Sequence, residues 1–386
     1  MKILHTSDWH IGKRLIQRER LDEQAEVLDE IIDICNQERV ELVIIAGDVF
    51  DTYTPSAEAE RLFFSKIKKV AGENRAVVII SGNHDDGVRL SAAAPLSEEQ
   101  GIYIVGNERK LVSLDENTRP VRSISSGKGY AIFESEKGER VFLSFLPYPN
   151  EARFKEEKSE LPYVEQMQKW IAEGESGNIE KLPSIFVGHL FVAGGVVSDS
   201  EREIDLGGAR AIPISALPTS DYIALGHLHK KQHMGKGHCY YSGSPLQYAF
   251  DESADKGVKV FELTANGVEN LHDVPLTKGK KLIRLQADGV DSALALLQNC
   301  PNELVEMKLI LTAPLVASQA QSLSANANLV SLVAEVRTEE TLAFESRKGL
   351  SGERLFDLFY KTNYGVEPKE EVKTLFLQTL AELDEE

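Results

Sequence analysis

Leu42-Val43-Ile44-Ile45-Ala46-Gly47-Asp48-Val49-Phe50-Asp51 is the stretch that decides how the rest of this chain is read. An unbroken apolar run of this length suits a strand covered on both faces. The run stops at a glycine, which lets the backbone turn sharply, and then delivers an acid at the strand's end. The design recurs. Val77-Val78-Ile79-Ile80 leads into Gly82-Asn83-His84-Asp85, Ile185-Phe186-Val187 into Gly188-His189, and Tyr222-Ile223-Ala224-Leu225 into Gly226-His227-Leu228-His229. Near the start, Ile3-Leu4 precedes Asp8-Trp9-His10.

Helical patterns separate these runs. From Leu21 to Val40 apolar residues recur at helical spacing, with Asp22 the expected N-cap. Thr54-Pro55 reads as a cap followed by proline at the first helical position, opening a helix that reaches Val70. A β-α-β-α-β opening implies an α/β core with right-handed crossovers. Farther on, Tyr130–Phe133 and Val141–Phe145 read as strands and Tyr163–Ala172 as a helix, with Cys239–Tyr241 and Val258–Phe261 as closing strands of a second sheet. A layered β-sandwich flanked by helices is the simplest architecture. After a boundary near Pro275–Lys281, strands at Lys281–Leu285, Leu304–Leu311 and Leu329–Val336 alternate with helices at Ser292–Gln298 and Ala317–Ala325. The end of the chain, from Gly349, reads as two amphipathic helices around Tyr364-Gly365. Leu355, Phe356, Leu358 and Phe359 give the first an apolar face, and Val372, Leu375, Phe376 and Leu380 the second. The expected segments are 1–275, 276–345 and 346–386.

The chain has 386 residues, enough for two or three domains with a real core. Its net charge of -18 counts against a surface that binds nucleic acid everywhere. Bound divalent cations can reverse that sign locally. Cys35, Cys239 and Cys300 are odd in number and far apart, as expected of reduced thiols. The first residues turn polar too soon for a secretory signal, and no apolar run approaches the roughly 20 residues that span a bilayer. The expected setting is the cytoplasm, away from membranes.

Carboxylates, imidazoles and an amide oxygen at rigid strand ends are the donors that a metal-assisted phosphate ester hydrolase needs. Asp8 and His10 are two apart, as are His227 and His229, so on a regular strand each pair shares a face. Singly, each motif has a blander reading: Asp8 with His10 as a pair closing a turn, Gly47-Asp48 as a plain turn, His189 as an interior histidine. Of nine histidines, those at 10, 84, 189, 227 and 229 fall at these strand ends, and His5 lies just before the first. That clustering favours a metal site.

The motif set Asp-x-His, Gly-Asp-x-x-Asp, Gly-Asn-His-Asp, Gly-His and Gly-His-x-His resembles the calcineurin-like metallophosphoesterase superfamily. Longer matches resemble its SbcCD-type nuclease subunits. They are His5-Thr-Ser-Asp-Trp-His-Ile-Gly, Gly188-His-Leu-Phe-Val-Ala-Gly-Gly with Ser198-Asp-Ser-Glu-Arg, Ala224-Leu-Gly-His-Leu-His-Lys-Lys-Gln, and Tyr241-Ser-Gly-Ser-Pro-Leu-Gln-Tyr. The resemblance covers roughly the first 275 residues with specific motifs, and the remainder in outline.

It implies a four-layer α-β-β-α sandwich, a small α/β domain that caps the active site and helps hold DNA, and a helical tail. It implies two divalent metals, usually manganese, with magnesium the alternative. Asp8, His10 and His229 would hold one, Asn83, His189 and His227 the other, with Asp48 bridging. His84 would contact the scissile phosphate without binding metal. The implied activity is double-strand exonuclease and hairpin endonuclease action in DNA repair and recombination. Implied partners are DNA, an SbcC-like ATPase subunit and a second copy of the chain, in a heterotetramer. Small phosphodiesters as substrates, or a non-catalytic DNA-end scaffold, are the alternatives. Archaeal and eukaryotic relatives carry histidine where Asp51 stands, and bacterial members carry aspartate. Asp51 reads here as a solvated turn carboxylate. Lys13, Arg14, Arg18 and Arg20 form a basic cluster that either meets phosphates or is simply a solvated loop, and Arg89, Lys230 and Lys231 read the same way. The tail residues Leu355, Phe356, Phe359, Leu375 and Phe376 either dock on the ATPase or pack on their own protein.

Overall fold

The computed structural model describes residues 1–106, 109, 118–149, 161–201, 210–337, 351–364 and 366–383. The chain forms two compact units, one of residues 1–283 with 302–304 and one of residues 284–301 with 305–386.

In the first unit the buried apolar runs become strands. They are β1 Lys2–Thr6, β2 Leu42–Ala46, β3 Ala76–Ile80, β4 Ile102–Val105, β5 Arg122–Gly127, β6 Tyr130–Glu134, β7 Arg140–Leu146, β8 Ser184–His189, β9 Tyr222–Gly226, β10 Gln232–His233, β11 Cys239–Tyr241, β12 Gly257–Thr264 and β13 Gly267–Pro275. One sheet has the order β13-β12-β1-β2-β3-β4 and the other β10-β11-β9-β8-β7-β6-β5. β1 to β4 run parallel, as do β7, β8 and β9. The sequence places Val258–Phe261 in the second sheet. It lies in the first, because β12 pairs antiparallel with β1, Leu4 opposite Val260.

Strand alternation assigns the cores. Leu4, Val43, Ile45, Val77 and Ile79 point to one side of the first sheet, where they meet helices α1 Leu21–Gln37 and α2 Ala57–Ala71. Ile3, Leu42, Ile44, Val78 and Ile80 point to the other and meet Phe133, Leu143, Ile185, Val187 and Ala224 of the second sheet. The outer face of that sheet, with Leu146, Phe186 and Leu225, is covered by Met167, Trp170 and Ile171 of helix α3 Tyr163–Glu175. Two helix starts differ from expectation. Arg20 occupies the N-cap of α1 without a side-chain capping bond, so Asp22 sits in the first turn, where a carboxylate suits the helix dipole. Ser56 caps α2 by accepting the Ala59 N–H, so Pro55 precedes the cap.

The second unit alternates β14 Leu282–Asp288, α4 Val290–Asn299, β15 Leu304–Leu311, α5 Ala317–Ser324 and β16 Leu329–Val336. The strands form one sheet in that order, β15 and β16 parallel. Helices α6 Gly352–Tyr364 and α7 Glu370–Leu383 pack on each other through Phe356 and Phe376, whose rings stack 4.0 Å apart. Among the described residues no helix is long and apolar enough to cross a membrane.

Phe63, fully buried on α2 and edge-on to Phe50 at 5.2 Å, tests the first core. Phe63→Ala is expected to lower unfolding free energy by about 3–5 kcal/mol in urea denaturation. A loss below about 1 kcal/mol would contradict the packing described.

Candidate metal centre

The motif residues gather where strands of the two sheets end side by side. β1 stops at Thr6 and β9 at Gly226, so Asp8, His10 and His227 are not strand residues. This corrects the expectation that each pair shares a strand face. Asp8, His10 and Asp48 instead have positive φ, at 53°, 43° and 49°, and His227 has φ 109°. Such backbone costs about 1–3 kcal/mol per residue and persists where surroundings enforce it. Here they do. The N–H groups of Asp8, His10 and Ile11 donate to the carbonyls of Gly47, Asp48 and Val49 at 2.9–3.0 Å. The Asp85 carboxylate accepts the N–H groups of Val49, Phe50 and Gly82 at 2.8–3.1 Å. Two glycines permit the approach: a Cβ at Gly226 would stand 1.8 Å from the Ala46 carbonyl oxygen, and one at Gly82 2.1 Å from Asp48 Oδ1.

In an octahedral site with ligands about 2.1 Å from the ion, neighbouring ligand atoms stand about 3 Å apart. The donors here match that spacing. His10 Nε2 lies 2.9 Å from His229 Nε2. Asn83 Oδ1 lies 2.8 Å from His189 Nε2 and 3.0 Å from His227 Nδ1. Asp48 Oδ2 is 3.5 Å from His10 Nε2 and 3.4 Å from His189 Nε2, which places it between the two groups. Donor atoms of Asp8, His10 and His229 lie within 4.8 Å of one another, as do those of Asp8, Asp48 and His189, and of His10, Asp48 and His84. All eight of the sequence-selected residues, Asp8, His10, Asp48, Asn83, His84, His189, His227 and His229, are buried and converge. Among the described residues the buried Nε2 of His227 has no hydrogen-bond partner, and His10 Nδ1 has only the Asp51 carboxylate at 3.4 Å.

The outer atoms are held by protein. His189 Nδ1–H donates to the Ala46 carbonyl at 2.8 Å, which turns Nε2 inward. Asp48 Oδ1 accepts the His84 N–H at 2.8 Å and leaves Oδ2 to the cluster. Asp8 is fixed by the Ser7 hydroxyl at 2.5 Å and the His227 N–H at 2.9 Å. Electrostatics are correspondingly shifted. Burial raises Asp8 to about 6 and Asp85 to about 7, the latter pushed further by Asp48. Burial lowers His227 to about 3 and His10 well below the usual imidazole range, so both offer neutral lone pairs. Burial alone would lower His189, but Asp48 beside it lifts it to about 9. Burial works against Asp48 too, yet His189 and His84 hold it well below the ordinary carboxylate range. Imidazole nitrogens facing buried carboxylates, with His10 Nε2 and His229 Nε2 only 2.9 Å apart, fit a divalent cation.

The family described as calcineurin-like phosphoesterase matches residues 1–231. Three curated relatives carry the name of the SbcD component of nuclease SbcCD. That of Bacillus subtilis (strain 168) is 33% identical over 406 residues, 100% of this chain and 99% of its own length. That of Staphylococcus epidermidis is 30% identical, covering 75% of this chain and 74% of its own. That of Rhodobacter capsulatus is 33% identical, covering 75% and 72%. The chain belongs to the SbcD family of calcineurin-like phosphoesterases.

In this SbcD family member Asp51 is not the solvated turn residue the sequence suggested. Its carboxylate lies 2.9 Å from Lys13 Nζ and 3.4 Å from His10 Nδ1, and its carbonyl accepts from His84 Nδ1 at 2.8 Å. Burial would raise it, but His10 and Lys13 hold it at about 2. The basic cluster also divides. Arg20 is buried, pairing with Glu23 and the Gln247 carbonyl, and so leaves the surface set. Lys13 pairs with Asp51 at the centre's edge. Arg14 pairs with Glu19 at 3.2 Å, Arg89 with Glu60 at 2.7 Å, Lys230 with Asp251 at 3.4 Å and Lys231 with Asp255 at 2.7 Å. Arg18 lines a cleft with Glu19, Arg20 and Lys280. On the tail, Phe356 and Phe376 face each other, while Leu355, Phe359 and Leu375 are 40%, 60% and 64% exposed.

Sequence reasoning passed over Asp85 as a brace, although it stands fourth in Gly-Asn-His-Asp. It also missed Ser200, Glu201, Glu252 and Lys256, which surround His229. Gly226→Ala is expected to force the Ala46 carbonyl and His189 apart, costing about 1–3 kcal/mol or more in denaturant titration and weakening metal uptake. Unchanged stability would contradict the close approach of the two sheets.

Proposed function

We propose that this chain is a metal-dependent DNA nuclease that degrades double-stranded ends and opens hairpins together with an SbcC-like ATPase. The observation that carries the reading is the convergence of seven buried metal-type donor residues, with Asp48 Oδ2 3.5 Å from His10 Nε2 and 3.4 Å from His189 Nε2, in a chain similar over its full length to a nuclease subunit. Asp8, His10 and His229 would hold one ion and Asn83, His189 and His227 the other, with the Asp48 carboxylate between the two groups. Two such ions supply Lewis acidity and a water activated at neutral pH. Imidazole with carboxylate and amide oxygen suits manganese, with magnesium the alternative.

The chain's own part is positioning and proton transfer. Hydrolysis joins a water oxygen to phosphorus, breaks the ester P–O bond and leaves an alkoxide that needs a proton. His84 gives it in this reading. Its Nδ1–H donates to the Asp51 carbonyl, which accepts only, so proton traffic in this ring runs through Nε2. Lys13, Arg14, Arg18, Arg89 and Lys230 contact backbone phosphates, exchanging acidic partners for phosphate oxygens. Leu355, Phe359 and Leu375 dock on the ATPase, with Phe356 and Phe376 bracing the hairpin behind them. The assembly is a pair of these nuclease chains with a pair of ATPase chains.

His84→Gln is expected to bind manganese as the wild type does and to lose about 10²–10⁴-fold in phosphodiester cleavage. Undiminished turnover would remove His84 from the mechanism. Dialysis against a chelator is expected to abolish degradation of duplex DNA, and manganese to restore it. Hydrolysis of a chromogenic small phosphodiester with duplex DNA untouched would redirect the reading to small substrates. Binding of less than one ion per chain, with DNA affinity kept, would favour a scaffold.

A further inference from the structure

The inward-facing Nε2 of His229 has a built support behind it, made of Ser200 and Glu201 from the Ser198-Asp-Ser-Glu-Arg stretch with the distant Glu252 and Lys256. His229 Nδ1 lies 2.6 Å from the Ser200 hydroxyl and 3.3 Å from Glu252 Oε1. Ser200 in turn donates to the same Glu252 oxygen at 2.5 Å. The other oxygen of Glu252 pairs with Lys256 Nζ at 2.5 Å. Lys256 also donates to the Ser244 hydroxyl at 2.8 Å and the His229 carbonyl at 3.1 Å. Glu201 accepts the His229 N–H at 2.8 Å. Glu252 and Lys256 are buried.

Burying a glutamate and a lysine together gains little stability by itself, since well-packed apolar residues usually do as well. What the pair provides is a fixed acceptor. Lys256 locks the Glu252 carboxylate, the carboxylate fixes the Ser200 hydroxyl, and both receive the Nδ1–H of His229. That defines the tautomer, aims Nε2 at His10 Nε2 and raises its basicity as a ligand.

We propose that Glu252, anchored by Lys256 and relayed by Ser200, is a positioning residue that sets metal affinity at the Asp8–His10–His229 position alone. The inference rests on the metal-centre reading above. The position of Asn83, His189 and His227 has a different brace, the Ala46 carbonyl behind His189.

The test is calorimetric titration of manganese into chelator-treated full-length protein, with apo melting temperatures as a check on folding. Wild type is expected to take up two ions. Glu252→Gln is expected to weaken one of the two by about 10- to 100-fold and leave the other within about twofold. Ser200→Ala keeps the buried ion pair and removes the shorter contact. It is expected to weaken the same position by about tenfold, and decides the matter where Glu252→Gln does not fold. Folded variants that bind both ions as wild type does would overturn the proposal, as would equal weakening of both positions. Wild type that takes up no manganese would instead overturn the metal-centre reading itself.

Discussion

The Asp48 carboxylate is the point at which the two sheets have to agree. It leaves the end of β2 in a left-handed turn, gives one oxygen to the His84 N–H and turns the other toward His10 and His189. His10 follows a strand of its own sheet, and His189 ends a strand of the other. A shared oxygen tolerates little sliding between layers. The structure meets that demand with backbone. Gly226 lies against the Ala46 carbonyl with no room for a methyl, and that same carbonyl takes the Nδ1–H of His189. Core packing between the sheets and donor geometry at their rim are therefore one constraint, felt at two places.

That linkage explains why so much could be read from sequence. A residue at the end of an apolar run is located by the run, and the runs at 42–46, 77–80, 185–187 and 222–225 became β2, β3, β8 and β9. Once strands are placed in parallel order, the motifs at their ends can only gather. The details that escaped depend on contacts between distant segments. Period-two spacing gave Asp8 with His10, and His227 with His229, a shared strand face. The loops achieve convergence differently, through left-handed backbone held by cross-loop hydrogen bonds, and no local pattern encodes those partners. Val258–Phe261 reads equally well as a strand of either sheet, because apolar alternation names a face and not a neighbour. Thr54-Pro55 satisfied the rule for a helix start, but Ser56 offered its hydroxyl to the right N–H. Asp51 looked like a turn residue because its partners, Lys13 and His84, lie 38 and 33 positions away. Glu252 had still less to mark it.

Charge follows the same pattern of local pairing. The chain carries -18 overall, and the cations near the centre mostly have acids beside them: Arg14 with Glu19, Arg89 with Glu60, Lys230 with Asp251, Lys231 with Asp255. Exposed pairs of this kind contribute little to stability, at most about 1 kcal/mol. Inside the centre the balance runs the other way. Asp8 is pushed up to about 6 by burial, His10 and His227 are lowered by burial, and His189 is lifted by Asp48, so protons and lone pairs are divided unevenly over one buried cluster. Carboxylates and imidazoles packed this closely are donors of the kind a divalent cation takes, and such an ion would itself be the largest local charge.

The helical pair of the tail follows a related logic of incomplete satisfaction. Helices of 13 and 14 residues are marginal alone in water. Stacking of Phe356 on Phe376 and the bridges from Lys373 to Glu353 and Asp357, each 2.8 Å, close the hairpin on one side. Phe359 and Leu375 are mostly exposed and lie outside this contact. Two of the five apolar residues selected from the sequence thus serve to form the hairpin. Leu355, Phe359 and Leu375 stay 40%, 60% and 64% exposed. An amphipathic pattern alone makes no distinction between a residue that closes the hairpin and one left at its surface, because both lie on the same apolar stripe.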